Sequence, residues 1–163
     1  KMPKNKKIKT FDNFLTHTQL KLLRSKIPNE NIPATWNSEI KKHFSPFFTE
    51  AKKNYNLSKF SGFEIWSHNN TKPPPHYDKD EVLYQTTGKS KFPLCSMVFY
   101  VEVKNVQGGR LFIDDDAVIP KTNRLVIFGP KVWHSVEPFS GIRKVLLMNP
   151  WNKKPLKYKE NRL

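Results

Sequence analysis

From Phe60 to Trp151 the chain is a succession of short apolar runs cut by Gly, Pro, Asn and Asp. The runs read "FSGFEIWSH", "PLCSMVFYVEV" (93–103), "GGRLFI" (108–113), "RLVIF" (124–128), "VWHSV" (132–136) and "IRKVLLMNPW" (142–151). Runs this short and this closely spaced predict a β-sandwich or barrel. The run at 93–103 is apolar at consecutive positions, so it predicts a central strand covered on both faces. The Gly108–Gly109 pair suits a turn. With no repeat and no long linker, 163 residues predict one domain.

The first third has a different period. After "FDNFL", Thr16 is placed to cap a helix running to about Ile27, with Gln19 at the capping-box position and Leu20, Leu23 and Ile27 as its apolar face. A second helical stretch is expected over residues 37–55, with Pro46 kinking or splitting it. The expected organisation is a basic tail (1–10), a helical flank (11–57), a β core (58–151) and a second basic tail (152–163).

Twelve Phe and four Trp exclude a disordered chain. The single cysteine, Cys95, excludes an internal disulfide framework and reads as a small buried apolar residue. No apolar run reaches the length of a membrane span and no apolar segment follows the basic "KMPKNKKIKT", so a soluble, cytoplasmic protein without a membrane partner is expected. The formal charge of +15 raises the question of nucleic acid, but +9 of it lies in residues 1–10 and 152–163, expected to be mobile tails. An acidic partner for those tails is possible on charge and is not the favoured reading.

Chemistry-bearing residues begin at "PPPHYDKD" (73–80), where His76 and Asp78 leave one face of an extended chain. Alone the triplet is an ordinary polar loop as readily as half a metal site. His17, His43 and His68 read as solvated or capping side chains. His134 lies inside an apolar run, where by itself it reads as a half-buried core histidine. Together His76, Asp78 and His134 supply two imidazoles and a carboxylate, the donor set of non-haem Fe(II) oxygenases, which zinc could also use. Arg143 opens the last apolar run; by itself it is a surface charge, and as a guanidinium it suits a small carboxylate. The polar stretch at 79–92 reads as a lid or a flexible loop, "DDD" at 114–116 as a solvated turn, and Tyr77 and Trp133 as outward packing residues.

The ordered series "FEIWSH", "HYD", "MVFYVE", "GGRLFI", "NRLVIFGPKVWHSVEP" and "GIRKVLL", over about residues 60–151, resembles the Fe(II)/2-oxoglutarate-dependent dioxygenases, and most of all their prolyl 4-hydroxylase-like branch. The resemblance implies a double-stranded β-helix, a jelly-roll or cupin-like core. It implies His76, Asp78 and His134 as ligands of Fe(II), and Arg143 as partner of the distal carboxylate of 2-oxoglutarate. It also implies Tyr100 as a contact to that cosubstrate, and Trp66 and Leu111 as lining of its pocket, Trp66 standing where a tyrosine is common. With O2, such a site couples decarboxylation of 2-oxoglutarate to succinate with hydroxylation of a C–H bond, and the retained Asp78 points away from halogenation. A peptidyl or protein substrate, proline among them, is expected. A free amino acid remains open, as does a metal- or sugar-binding barrel without turnover. The nucleic-acid-repair branch carries a second arginine where this chain has Asn149, so a nucleic-acid substrate is the less favoured reading.

Overall fold

The structure is a computed structural model and describes residues 7–159. Its core is a six-stranded antiparallel sheet facing a three-stranded one. The large sheet runs β1-β7-β4-β9-β3-β2, made of Lys9–Phe11, Leu125–Phe128, Ser96–Gly108, Phe139–Trp151, Gly62–Asn69 and Thr35–Asn37 respectively. The small sheet runs β6-β5-β8, made of Asp116–Val118, Leu111–Ile113 and His134–Val136. The strand expected to be central is β4, paired on both sides, with β7 and β9.

Alternation along β4, β7 and β9 sends successive side chains to opposite faces. Met97, Phe99, Val101, Leu125, Ile127, Leu146 and Met148 face outward, where α1 (His17–Lys26) and α2 (Ser45–Asn54) cover them with Leu20, Leu23, Phe47 and Ala51. Val98, Tyr100, Val126, Phe128 and Val145 face inward and meet Leu111, Ile113 and Val118 of the small sheet. A run apolar at every position is what two buried faces require.

The first helix forms as its sequence predicts. Thr16 Oγ1 accepts from the Gln19 backbone, and Gln19 Oε1 accepts from the Thr16 backbone. The second is shorter than expected. Asn37 ends β2, Lys42–Phe44 is a 3₁₀ turn, and α2 begins only at Ser45. Pro46 sits in the first turn, where its missing N–H costs nothing, so it starts the helix instead of kinking it. The stretch at 79–92 also differs from expectation. It contains α3 (Glu81–Thr87), with Asp80 accepting from the Leu83 backbone at one end and Gly88 left-handed at the other.

Lys9–Phe11 forms β1 across the end of the run read as a basic tail (1–10), and of the two expected tails residues 1–6 and 160–163 lie outside the described residues. Asn152–Lys159 is also structured. Pro155 is buried, Leu156 N–H donates to Asp80 Oδ2 at 2.8 Å, and Tyr158 donates to Glu64 and stacks on Trp36. Cys95 is buried, which pushes its thiol up to about 12. Asp114 and Asp115 make the exposed turn between β5 and β6, with Asp114 at φ 51°. Among the described residues no helix is long and apolar enough to cross a membrane.

Candidate metal and anion site

The turn carrying His76 and the first residue of β8 are joined by a two-way backbone bridge. His76 N–H donates to the His134 carbonyl and His134 N–H to the His76 carbonyl, both at 3.1 Å. The bridge carries two imidazoles distant in sequence onto one spot, with ring centroids 4.5 Å apart. Asp78 turns in from the same segment. The ligand atoms of His76, Asp78 and His134 all lie within 4.8 Å of one another, the only such group found among the described residues.

Hydrogen bonds fix how each donor presents itself. His76 Nδ1 lies 2.7 Å from the Pro74 carbonyl and His134 Nδ1 lies 2.9 Å from the Val132 carbonyl. A carbonyl can only accept, so both Nδ1 atoms carry hydrogen, and in the neutral rings both Nε2 atoms present lone pairs. These Nε2 atoms lie 3.1 and 3.4 Å from Asp78 Oδ1. Three lone-pair donors at such spacing require a proton or a metal cation among them. The opening prolines have a specific task here, since Pro74 supplies the carbonyl that orients His76.

Asp78 is held by its other oxygen. Oδ2 accepts from Ser96 Oγ at 2.7 Å and from Asn149 Nδ2 at 3.0 Å, which leaves Oδ1 facing the histidines. Burial alone would raise this carboxyl. The facing imidazoles of His134 and His76, which donate to it when protonated at Nε2, and the Ser96 hydroxyl outweigh it and hold Asp78 well below the usual carboxylate range. The same Asp78 contact, against burial, raises His76. Neither Ser96 nor Asn149 stood out in the sequence; Asn149 entered there only as the absence of an arginine.

Arg143 lies deep in the barrel, on β9, with 2% of its surface exposed. Its Nε donates to the Gly109 carbonyl at 3.1 Å, and its guanidinium carbon lies 5.2 Å from the Tyr100 ring centre and 5.6 Å from that of Phe139. Gly109 has φ 73°, and a Cβ there would come within 3.3 Å of Arg143 Cδ. The glycine pair therefore turns the chain and leaves room for the arginine. Among the described residues no carboxylate pairs with Arg143, and burial lowers its pKa. The Tyr100 hydroxyl beside it is fully buried, and apart from the neighbouring guanidinium it finds no hydrogen-bond partner among the described residues. A buried cation without a counter-ion next to a hydroxyl that has only that cation for a partner is costly, and a bound anion relieves both.

The other expected residues fall around these two centres. Leu111 is buried in the inner core with Tyr100. Trp66 lies on β3 and lines a cavity of about 160 Å³ shared with Glu64, His76, Asp78 and Asn149. His68 is half-buried on the same strand, not the exposed side chain its sequence context suggested; burial and the positive charge of Arg143 lower its pKa. Its "NNTK" surroundings hid the fact that it continues the β3 alternation. Tyr77 and Trp133 stack edge to face at 4.9 Å, and both are more than a third exposed.

At the level of sequence, neither a family profile nor a curated protein matches this chain. Solved structures do. A prolyl-4-hydroxylase from Pseudomonas putida aligns over 90% of this chain and 93% of its own, at TM-score 0.63 and 17% identity. A prolyl hydroxylase from Trichoplax adhaerens, in complex with a fragment of the hypoxia inducible factor oxygen degradation domain, aligns over 94% and 87%, at TM-score 0.54 and 12% identity. HygX from Streptomyces hygroscopicus, with nickel and 2-oxoglutarate bound, aligns over 90% and 83%, at TM-score 0.54 and 8% identity. The fold is thus mainly antiparallel β with flanking helices, built on the double-stranded β-helix core of 2-oxoglutarate–Fe(II) oxygenases.

Proposed function

We propose that the chain is an Fe(II)- and 2-oxoglutarate-dependent oxygenase, and within that class a hydroxylase. His76, Asp78 and His134 would hold Fe(II), and Arg143 with Tyr100 would hold the distal carboxylate of 2-oxoglutarate. The observation that carries the reading is the pairing of two incomplete sites in one barrel. One is a converging set of two imidazole nitrogens and a carboxylate oxygen. The other is a buried guanidinium with no carboxylate among the described residues, beside a buried hydroxyl with no other partner there. The first fits a divalent metal with open positions, and the second fits a small dicarboxylate.

When bound, iron and 2-oxoglutarate supply activation of O2, with 2-oxoglutarate leaving as succinate and CO2 while a C–H bond is hydroxylated. The chain's own residues orient the reactants. The Pro74 and Val132 carbonyls fix both imidazole tautomers, so each ring offers Nε2. Ser96 and Asn149 hold one Asp78 oxygen and so restrict it to ligation through the other. Arg143, immobilised by Gly109 and two aromatic rings, fixes one end of the cosubstrate and therefore the direction of the rest. The inner apolar residues around Tyr100 keep water away from that end.

The cavity lined by Trp66, His76, Asp78 and Asn149 opens beside the metal donors. We take its substrate to be a residue of a peptide or protein, proline first, on the likeness to the prolyl hydroxylase seen with a peptide fragment. The test is succinate formation from 2-oxoglutarate in the presence of Fe(II) and O2, with mass spectrometry of prolyl peptides for a gain of one oxygen atom. Succinate that requires all three components and disappears in His134→Ala supports the oxygenase. Succinate without modified peptide retains the oxygenase and discards the prolyl substrate.

A further inference from the structure

The C-terminal lysines were expected to hang free, and the structure places them. The Leu156–Asp80 hydrogen bond and the Tyr158–Trp36 stack, with ring centroids 6.2 Å apart, fold Asn152–Lys159 onto the barrel. Two concavities result. One, of about 410 Å³, is lined by Lys91, Lys131, Lys153 and the Phe92 ring. The other, of about 550 Å³, is lined by Lys153, Lys154, Lys159 and the Trp36 ring. They share Asn152 and Lys153, so they adjoin across that segment as one lysine-lined groove surface. All five lysines are exposed, and no aspartate or glutamate lines either part.

The groove passes beside the barrel mouth. The Lys91 carbonyl accepts from the Asp80 backbone at 2.9 Å, and Lys131 lies on the loop that leads into His134. Clustered cations with no interspersed acids repel one another and favour a polyanion. An aromatic ring narrows the choice. Phe92 lies beside Lys131, whose Nζ is 5.4 Å from the ring centre, and its ring lines the first concavity, whereas Trp36 is already packed between Tyr158 and Gly62 and serves as a wall of the second. An acidic peptide would use the lysines and leave the Phe92 ring idle. The bases of a duplex are stacked and cannot reach it. Unpaired bases stack on aromatic faces while their phosphates meet cations.

We propose that this groove binds single-stranded nucleic acid, with the backbone phosphates on Lys91, Lys131, Lys153, Lys154 and Lys159 and with a base against Phe92. The surface stands apart from the oxygenase reading: an iron site that fails leaves it intact, and a groove that fails leaves the oxygenase intact.

The experiment is fluorescence anisotropy of the full chain with labelled oligothymidine and oligouridine across a salt series. Five phosphate contacts give a slope of log affinity against log salt of about −3.5. The triple variant K91E/K131E/K153E should lose at least about tenfold in affinity and flatten the slope by about 2. K21E/K52E/K53E, which makes the same charge change on exposed positions of α1 and α2, should stay within about threefold. Phe92→Ala should weaken binding severalfold while leaving the slope unchanged, because it removes stacking and no charge. Three results overturn the proposal: no binding at low salt, equal losses in the two triple variants, or competition by polyglutamate as effective as by unlabelled oligonucleotide. The last would make the groove a docking face for an acidic protein.

Discussion

The two faces of β4, β7 and β9 are made of alternate residues of the same strands, and they are chemically opposite. The outer face is apolar except for the buried Lys144, whose Nζ donates to the Ile27 carbonyl and Asn29, and it is closely packed: Phe99 meets Phe47 at 5.0 Å in an edge-to-face contact and Phe14 at 6.4 Å. The inner face buries Ser96, Tyr100, Arg143 and Asn149 among valines. One of these has a hydroxyl with no partner beyond the neighbouring guanidinium, and another a charge with no counter-charge among the described residues. The same alternation serves both faces, so the difference lies in the residues and not in the backbone. The outer face holds the protein together. The inner face keeps polar groups that stability alone would replace with apolar ones, and such local conflicts mark functional sites.

Substitutions on the two faces should therefore fail in different assays. The largest effect belongs to the outer face. Phe99→Ala should cost about 3–5 kcal/mol of folding stability, read by chemical denaturation. Arg143→Ala should cost about 2–4 kcal/mol of 2-oxoglutarate affinity, read by calorimetry on protein loaded with Mn(II), with metal affinity retained. Equal loss of metal would show that the two inner sites are not separate. Asn149→Ala, which frees one Asp78 oxygen from a donor, should weaken metal binding about 10–100-fold, with folding little changed. The smallest effect is the most pointed. Tyr100→Phe removes this poorly satisfied hydroxyl, so it should raise stability by about 1 kcal/mol while weakening 2-oxoglutarate by a similar amount. A loss in both would mean that the hydroxyl is already satisfied in the free protein.

The inner face was legible in part. His76, Asp78 and His134 were legible as a donor set and Arg143 through the resemblance rather than by spacing alone, and the unbroken apolar run of β4 announced its two covered faces. The partners of Asp78 were not legible. Ser96 and Asn149 come from strands far apart in sequence, and only the sheet register brings them to one carboxylate. Helix α3 escaped because it presents no buried residue and so has no apolar period, although Asp80 and Gly88 mark its ends. The expected kink at Pro46 failed because the proline lies in the first turn of α2. The C-terminal lysines read as a tail because what anchors them is distant: Leu156 to Asp80, and Tyr158 to Trp36 and Glu64.

The central claim is that the converging triad and the buried arginine form one site, with metal at one end and a dicarboxylate at the other. Anaerobic titration of the apo-protein with Fe(II) and then 2-oxoglutarate, followed by visible absorption, tests it most directly. The account predicts a charge-transfer band that appears only with both, saturates at one equivalent of each, is absent in His134→Ala and needs far more 2-oxoglutarate in Arg143→Ala. Stoichiometric Fe(II) binding in His134→Ala, or no band in the wild-type protein at saturating metal and 2-oxoglutarate, would contradict it.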